Sequence, residues 1–166
     1  MFDQEDAKGI VKYFALLLAP AALLAAQPKL GPLDESAYQR LIASHKGQVV
    51  VADFWATWCI PCRAEMPQLV ALESRYRARG VKVVMVSCDE PEQEAGAYEF
   101  LLKNRVPPPL YIKRAKDDEK FIDSIDPKWS GALPGLFVYD RQGRLVKSFI
   151  GETDMASLET LLKKLL

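Results

Sequence analysis

The chain has 166 residues, of which 49% are apolar and 27% are charged, and 22 basic residues balance 22 acidic ones. This length and composition suit one globular domain with a sizeable core. The charges form no long block of one sign, so nothing indicates nucleic acid as a partner, and three cysteines are too few for a disulfide scaffold.

The N-terminal region contains an apolar stretch typical of a secretory signal. Residues 10–26 are apolar apart from Lys12 and end in alanines. The stretch is shorter than a comfortable spanning helix, contains Pro20, and follows an acidic start where a signal usually has basic residues. We predict a signal peptide or membrane anchor, with an apolar helix packed on the domain as the alternative.

A short linker is predicted to join this segment to the domain. Pro28, Gly31 and Pro32 are typical of such a connection. The expected organisation is therefore a signal or anchor with its linker over residues 1–32 and one domain over residues 33–166. The corresponding location is the periplasm, with the domain free or anchored to the membrane; the cytoplasm is the alternative.

The first elements predicted for the domain are a helix and a buried strand. Asp34 and Ser36 are candidate N-caps for a helix that ends near His45. A β-branched strand over residues 48–54 follows and carries one acid, Asp53. An ionised carboxylate is costly in such a strand, so desolvation should raise the pKa of Asp53.

Two cysteines stand where this strand gives way to a second helix, which is predicted to continue through about Tyr76. Cys59 lies at the helix N-terminus, where unpaired N–H groups and the helix dipole favour a thiolate. Cys62 lies one turn further in and should be shielded. We therefore predict that Cys59 is the nucleophile, that Cys62 resolves the mixed disulfide, and that Asp53 exchanges a proton with Cys62. The alternative for Asp53 is a side chain that points into a solvated cleft.

The same cysteine spacing also occurs as half of a zinc site, which needs four ligands. Only Cys88 and His45 could complete such a site, and neither has the spacing of a ligand pair. We therefore expect no metal, and no cofactor other than the Cys59–Cys62 disulfide itself. His45 is the only histidine, which disfavours a Cys-His hydrolase.

Alternating strands and helices are predicted for the rest of the chain. They are strands over 81–88 and 110–112, helices over 91–103 and 117–125, a hairpin over 135–150, and a last helix capped by Asp154. Cys88, at the end of the first of these strands, is expected to act as a small buried apolar residue, with a second resolving thiol as the alternative. The pattern predicts an α/β fold in which helices flank both faces of a central mixed sheet.

The residues around the cysteine pair resemble a known active-site signature. The segments that match the thioredoxin superfamily are Asp53-Phe54-Trp55-Ala56, Trp58-Cys59-Ile60-Pro61-Cys62 and Pro67. The longer pattern Phe-Trp-Ala-Thr-Trp-Cys-x-Pro-Cys-Arg-x-Glu-x-Pro is similar to the TlpA/ResA branch of bacterial thiol-disulfide oxidoreductases. Residues 132–140 resemble the cis-proline strand of the family, and residues 149–151 resemble its closing segment. The resemblance covers residues 33–166 and implies a thioredoxin-like α/β fold.

The resemblance also implies a substrate-binding edge beside the cysteine pair. It implies that the Leu133–Pro134 bond is cis, that Pro134 packs against the disulfide, and that the Leu133 backbone pairs with an extended substrate peptide. Trp58, Ile60 and Leu133 should form an apolar rim for a partner protein, and Pro61 and Pro134 are the other expected substrate-binding residues. Trp129 either joins that rim or belongs to the core.

Two further features bear on the redox couple. In thioredoxins, the aspartate that matches Asp53 exchanges a proton with the resolving cysteine, whereas TlpA/ResA relatives often have asparagine there. The Ile60-Pro61 pair differs from the Gly-Pro of thioredoxins and from the Pro-Pro common in the TlpA/ResA branch. Pro61 removes a backbone N–H that could stabilise a thiolate, so the resemblance does not imply a reduction potential.

The sequence therefore predicts a thiol-disulfide oxidoreductase that exchanges the Cys59–Cys62 couple with protein substrates, working as a reductase. The alternative is a redox-inactive or metal-carrying binding module with the same fold. The expected partners are disulfide-containing proteins and an upstream electron donor, either soluble or membrane-bound. We expect a monomer that does not bind nucleic acid.

Overall fold

The computed structural model describes residues 30–166. The predicted signal or anchor lies outside the described residues, apart from the end of its linker. The described strands are β1 (Gly31–Leu33), β2 (Val49–Trp55), β3 (Val81–Ser87), β4 (Tyr111–Lys113), β5 (Gly135–Tyr139) and β6 (Leu145–Ile150). The described helices are α1 (Glu35–Ser44), α2 (Ile60–Tyr76), α3 (Glu94–Lys103), α4 (Asp118–Ile125) and α5 (Met155–Leu165).

The strands form one mixed sheet in the order β1-β4-β3-β2-β5-β6. The pairs among β1 to β4 are parallel, whereas β5 pairs antiparallel with both β2 and β6. Central strand β2 is buried along its whole length, as its β-branched sequence predicts. The predicted α/β architecture with a mixed sheet is confirmed.

The two faces of the sheet carry two separate hydrophobic clusters. One cluster includes side chains of α2, α3 and α5, and the other includes side chains of α1 and α4. Side chains of β2 alternate between them, with Val51 and Trp55 in the first cluster and Ala52 and Phe54 in the second. Asp53 is in phase with Val51 and Trp55, so it points to the face that α2 covers.

The predicted linker is partly wrong, because Gly31 and Pro32 belong to the sheet. In β1 they pair with Tyr111 and Ile112 of β4. The sequence suggested a linker because glycine and proline interrupt regular structure, but proline is tolerated in an edge strand, and β1 is an edge strand. The domain therefore begins before residue 33. No helix within residues 30–166 is both long and apolar enough to cross a bilayer.

Candidate active site

The cysteine pair lies between the end of β2 and the first turn of α2. Cys59 is the N-cap of α2, Pro61 follows in the first turn, and Cys62 comes next. A disulfide joins the two cysteines, with their Cα atoms 5.3 Å apart. Cys59 is 5% exposed and Cys62 is 0% exposed. The predicted difference in exposure between the two cysteines is present but small.

The surroundings of Cys59 favour a negative charge on its sulfur. The backbone N–H of Cys62 points at Cys59 Sγ from 3.4 Å, and the first turn of α2 contains no acidic residue. Arg63, in the same turn, is exposed and donates a hydrogen bond to the Thr57 carbonyl. A helix N-terminus without acidic residues favours a thiolate at this position once the disulfide is reduced.

Apolar side chains are exposed beside the pair. Trp58 is 61% exposed and Ile60 is 77% exposed. The Leu133–Pro134 bond is cis, as predicted, and Leu133 is half-buried. β5 starts directly after Pro134, with Gly135 paired to the end of β2. The loop that carries Leu133 therefore lies at the same end of the sheet as the cysteines.

Asp53 is a fully buried carboxyl group on the face of the sheet that α2 covers. It is 0% exposed, and neither of its carboxyl oxygens has a hydrogen-bond partner. Burial, and secondarily the charge of Glu65, raise the pKa of Asp53 well above its ordinary value. The alternative of a side chain in a solvated cleft does not fit this environment.

A second buried acid, Glu65, was missed as a site residue. It is 6% exposed and accepts a hydrogen bond from the backbone N–H of Thr153 at 3.1 Å. Burial raises the pKa of Glu65 as well, and its charge disfavours ionisation of Asp53. Helical spacing could have identified it, because Cys62 and Leu69 define the buried face of α2 and Glu65 lies on that face.

The loop that precedes Cys59 is held in place by Asp89, which the sequence did not single out. The Asp89 carboxylate accepts hydrogen bonds from the Thr57 backbone N–H at 3.0 Å, the Thr57 hydroxyl at 2.6 Å and the Ser87 hydroxyl at 2.8 Å. Arg114 donates to the Asp89 carbonyl at 2.8 Å. An acid directly after a buried strand was the available signal, because the carboxyl ends of β2 and β3 are adjacent.

The structure bears on two residues whose roles the sequence left open, Cys88 and Trp129. Cys88 packs with the cluster on the opposite face of the sheet from the cysteine pair, and burial raises the pKa of its thiol to about 12. This favours the apolar role over a second resolving thiol. Trp129 is 4% exposed and belongs to the core, where its Nε1 donates to the Ala132 carbonyl at 2.8 Å. Across residues 30–166, no group of three or more His, Cys, Asp or Glu side chains could hold a metal ion.

Known proteins resemble this chain in both sequence and fold. It is 32% identical over 120 residues to a protein named thiol-disulfide oxidoreductase ResA from Bacillus thuringiensis (strain Al Hakam), with 72% of this chain and 65% of that relative covered. The chain thus spans slightly less than two thirds of the curated relative.

Two solved structures share the fold. A thiol:disulfide interchange protein of the thioredoxin family from Chlorobium tepidum TLS is 25% identical with a TM-score of 0.60, covering 74% of this chain and 83% of that one. A DsbF homologue from Corynebacterium diphtheriae is 22% identical with a TM-score of 0.65, covering 75% of this chain and 76% of that one.

The family assignment rests on a match over most of the chain. The sequence profile of the AhpC/TSA family matches residues 26–148, a range that includes the cysteine pair and the strand after Pro134. The fold and the ResA relatives agree with the predicted thioredoxin-superfamily resemblance. The chain therefore belongs to the AhpC/TSA family and is a thioredoxin-fold protein similar to the ResA thiol-disulfide oxidoreductases.

Proposed function

We propose that the protein is a thiol-disulfide oxidoreductase that reduces disulfides in other proteins. The observation that carries this proposal is the disulfide-bonded Cys59–Cys62 pair at the N-terminus of α2, beside the exposed side chains of Trp58 and Ile60. The names of the ResA relatives and of the Chlorobium structure support it.

The proposed reaction moves two electrons from the cysteine pair to a substrate disulfide. The Cys59 thiolate attacks one substrate sulfur, a mixed disulfide forms, and the other substrate sulfur leaves as a thiolate that takes a proton from water. The Asp53 carboxylate then accepts the proton of the Cys62 thiol. Cys62 attacks Cys59, the second substrate thiolate is released, and the Cys59–Cys62 disulfide remains. Leu133, Pro134, Trp58 and Ile60 hold the substrate peptide during this exchange.

Trapping of the mixed disulfide tests the proposed roles. Cys62→Ser removes the resolving thiol while Cys59 still reacts, so this variant should accumulate covalent adducts with a disulfide-containing protein such as insulin. Cys59→Ser is the matched control and should give no adducts and no dithiol-coupled reduction of insulin. Adducts with Cys59→Ser alone would reverse the two roles, and the absence of turnover and adducts in every form would favour a redox-inactive binding module.

We further propose that the domain works in the periplasm, free or anchored to the membrane, and that an upstream donor there reduces it again. The apolar stretch over residues 10–26 supports this location. Intact-mass measurement on cell fractions tests it. A cleaved signal gives a soluble protein that begins near Gln27, and an anchor gives a full-length protein released by detergent. A full-length protein found only in the cytosol would contradict the proposed location and leave the exchange reaction unaffected.

A further inference from the structure

A groove lies between α2 and α3, directly beside the most exposed apolar residue of the exchange site. Its volume is about 380 Å³, and it is lined by Ile60, Arg63, Ala64, Phe100, Lys103 and Asn104. This volume falls within the range of sites that bury a small ligand or a side chain. Ile60, which follows Cys59 in the chain, lines one end of the groove.

The floor of the groove is apolar and firmly packed. The Phe100 ring lies 5.3 Å from the buried Trp55 ring, centroid to centroid. The Arg63 guanidinium lies over the same Phe100 ring, 5.0 Å from its centroid. An apolar side chain that enters between Ile60 and Phe100 would lose water against this packed ring.

The rim of the groove is positively charged. Arg63 and Lys103 are both exposed, and neither forms an ion pair with a side chain among residues 30–166. Two acids are close: Glu92 lines the neighbouring cavity on the other side of Arg63, and Glu99 lies one helical turn before Lys103. Neither lines the groove itself, so a group that binds there meets cations and an apolar floor.

We propose that this groove binds the substrate segment that flanks the reacting cysteine, and that it selects segments with an acidic residue next to an apolar one. The proposal rests on the proposed function, because it defines which protein disulfides are exchanged. A substrate sulfur bonded to Cys59 places its own neighbouring residues within about 7 Å, the span of two extended residues. The apolar side chain then packs between Ile60 and Phe100, and the carboxylate lies between Arg63 and Lys103.

Three disulfide peptides that differ only beside the cysteine test this selectivity. The flanking pair is Glu-Leu, Gln-Leu or Lys-Leu, and kcat/KM is measured for reduction of each peptide. At low ionic strength, the acidic peptide should react about fivefold faster than the neutral one, and the basic peptide should be the slowest. The preference should disappear at about 1 M salt, where the Debye length is about 3 Å.

Substitutions at Lys103 change the charge of the rim and leave the cysteine pair itself unaltered. Lys103→Gln should weaken the preference for the acidic peptide, and Lys103→Glu should remove it, because only Arg63 then remains as a cation and the new carboxylate balances it.

Lys164→Glu is the control, since Lys164 lies near the end of α5. Arg141 donates hydrogen bonds to the carbonyls of Leu166 and Arg79, so this end of α5 lies near the start of β3, at the opposite end of the sheet from the cysteine pair. Lys164→Glu should keep the wild-type order.

The neutral peptide separates the two ways of failing. If it is reduced and the three peptides react equally in wild type and Lys103→Glu, the groove does not select acidic segments, although the proposed function stands. If none of the peptides is reduced, the proposed function itself fails. Equal urea midpoints for wild type and both Lys103 variants establish that folding does not cause the difference.

Discussion

At the scale of single residues, Asp53 is the group whose protonation the fold alters most clearly. Its carboxyl oxygens have no hydrogen-bond partner, and burial together with Glu65 raises its pKa above the ordinary value of 3.8. In the unfolded chain the group loses its proton near that ordinary value, whereas in the folded protein it keeps the proton to higher pH. Between these two pKa values the folded state binds more protons, so the free energy of unfolding falls as pH rises.

Asp53→Asn should remove this pH dependence. At about pH 8 the variant should be more stable than wild type by about 1–3 kcal/mol, because wild type must either protonate Asp53 or bury its charge when it folds, and the neutral amide needs neither. Below about pH 4 Asp53 is protonated in both states, so the difference should vanish. Urea unfolding at both pH values measures this. Asp126→Asn is the control and should lower the stability at about pH 8, since hydrogen bonds from Ser148 and Lys128 lower the pKa of Asp126 and so favour its charged form in the folded protein. Equal stability of Asp53→Asn and wild type at about pH 8 would contradict the buried, unpaired carboxyl group.

The same substitution should slow the resolving step. Without a carboxylate to accept the Cys62 proton, release of the reduced substrate should slow at least about tenfold at neutral pH, since general-base catalysis contributes roughly 10²–10⁴-fold. Single-turnover release of substrate thiol measures this step separately from the first attack by Cys59. Equal release rates for Asp53→Asn and wild type from about pH 6 to about pH 9 would mean that water, not Asp53, takes the proton.

Cys88 should behave as an inert thiol. Its pKa, raised to about 12 by burial, leaves almost no thiolate at neutral pH. With the Cys59–Cys62 pair oxidised, iodoacetamide should not label the folded protein within minutes and should label Cys88 once the chain is unfolded in urea. Cys88→Ala should reduce insulin at the wild-type rate. Rapid labelling of the folded protein would show an accessible thiol at the end of β3.

The buried acids differ in how visible they are in the sequence. Asp53 interrupts a run of β-branched residues, so its burial follows from the strand pattern alone. Glu65 lies in a helix that contains other charged residues, and its burial depends on which side of α2 meets the sheet. Asp89 lies two residues after the end of β3, but its bonds to Thr57 depend on β2 and β3 being neighbours, which is a property of the sheet order.

At the scale of elements, the loop between β2 and α2 depends on the chain segment after β3. Asp89→Ala should leave the Thr57 backbone N–H and the Ser87 hydroxyl without their partner, at a cost of about 2–3 kcal/mol in the free energy of unfolding. Urea unfolding measures this cost, with Glu92→Ala at a nearby exposed position as control. A loss no larger than in the control would mean that Asp89 does not hold the loop.

The elements also differ in how well their sequences specify them. α1 and α5 have aspartate N-caps, Asp34 and Asp154, and apolar spacing of helical period, so their starts were predicted to within a residue. β1 has three residues, two of them Gly31 and Pro32, and so has no strand pattern of its own. β1 forms because it pairs with the free edge of β4, and that edge is present only in the folded sheet.

At the scale of the whole molecule, the sequence predicted the layers but not the exact extent of the domain. Strands of β-branched residues alternate with amphipathic helices, and this pattern requires a sheet covered on both faces. The order of the strands and the contribution of β1 are set by long-range pairing, which local patterns do not encode. The N-terminal sheet edge therefore begins inside the segment that had been assigned to the linker.

The central claim is that Cys59 and Cys62 form a reversible two-electron couple, and a redox titration tests it most directly. The protein is equilibrated in glutathione buffers, free thiols are alkylated under denaturing conditions, and intact mass counts them. We predict a single transition from one thiol to three that fits a two-electron curve, with a midpoint nearer to about −270 mV than to about −120 mV, as expected of a reductase. A pair that no thiol buffer reduces in the folded protein, or a midpoint near about −120 mV, would contradict the account.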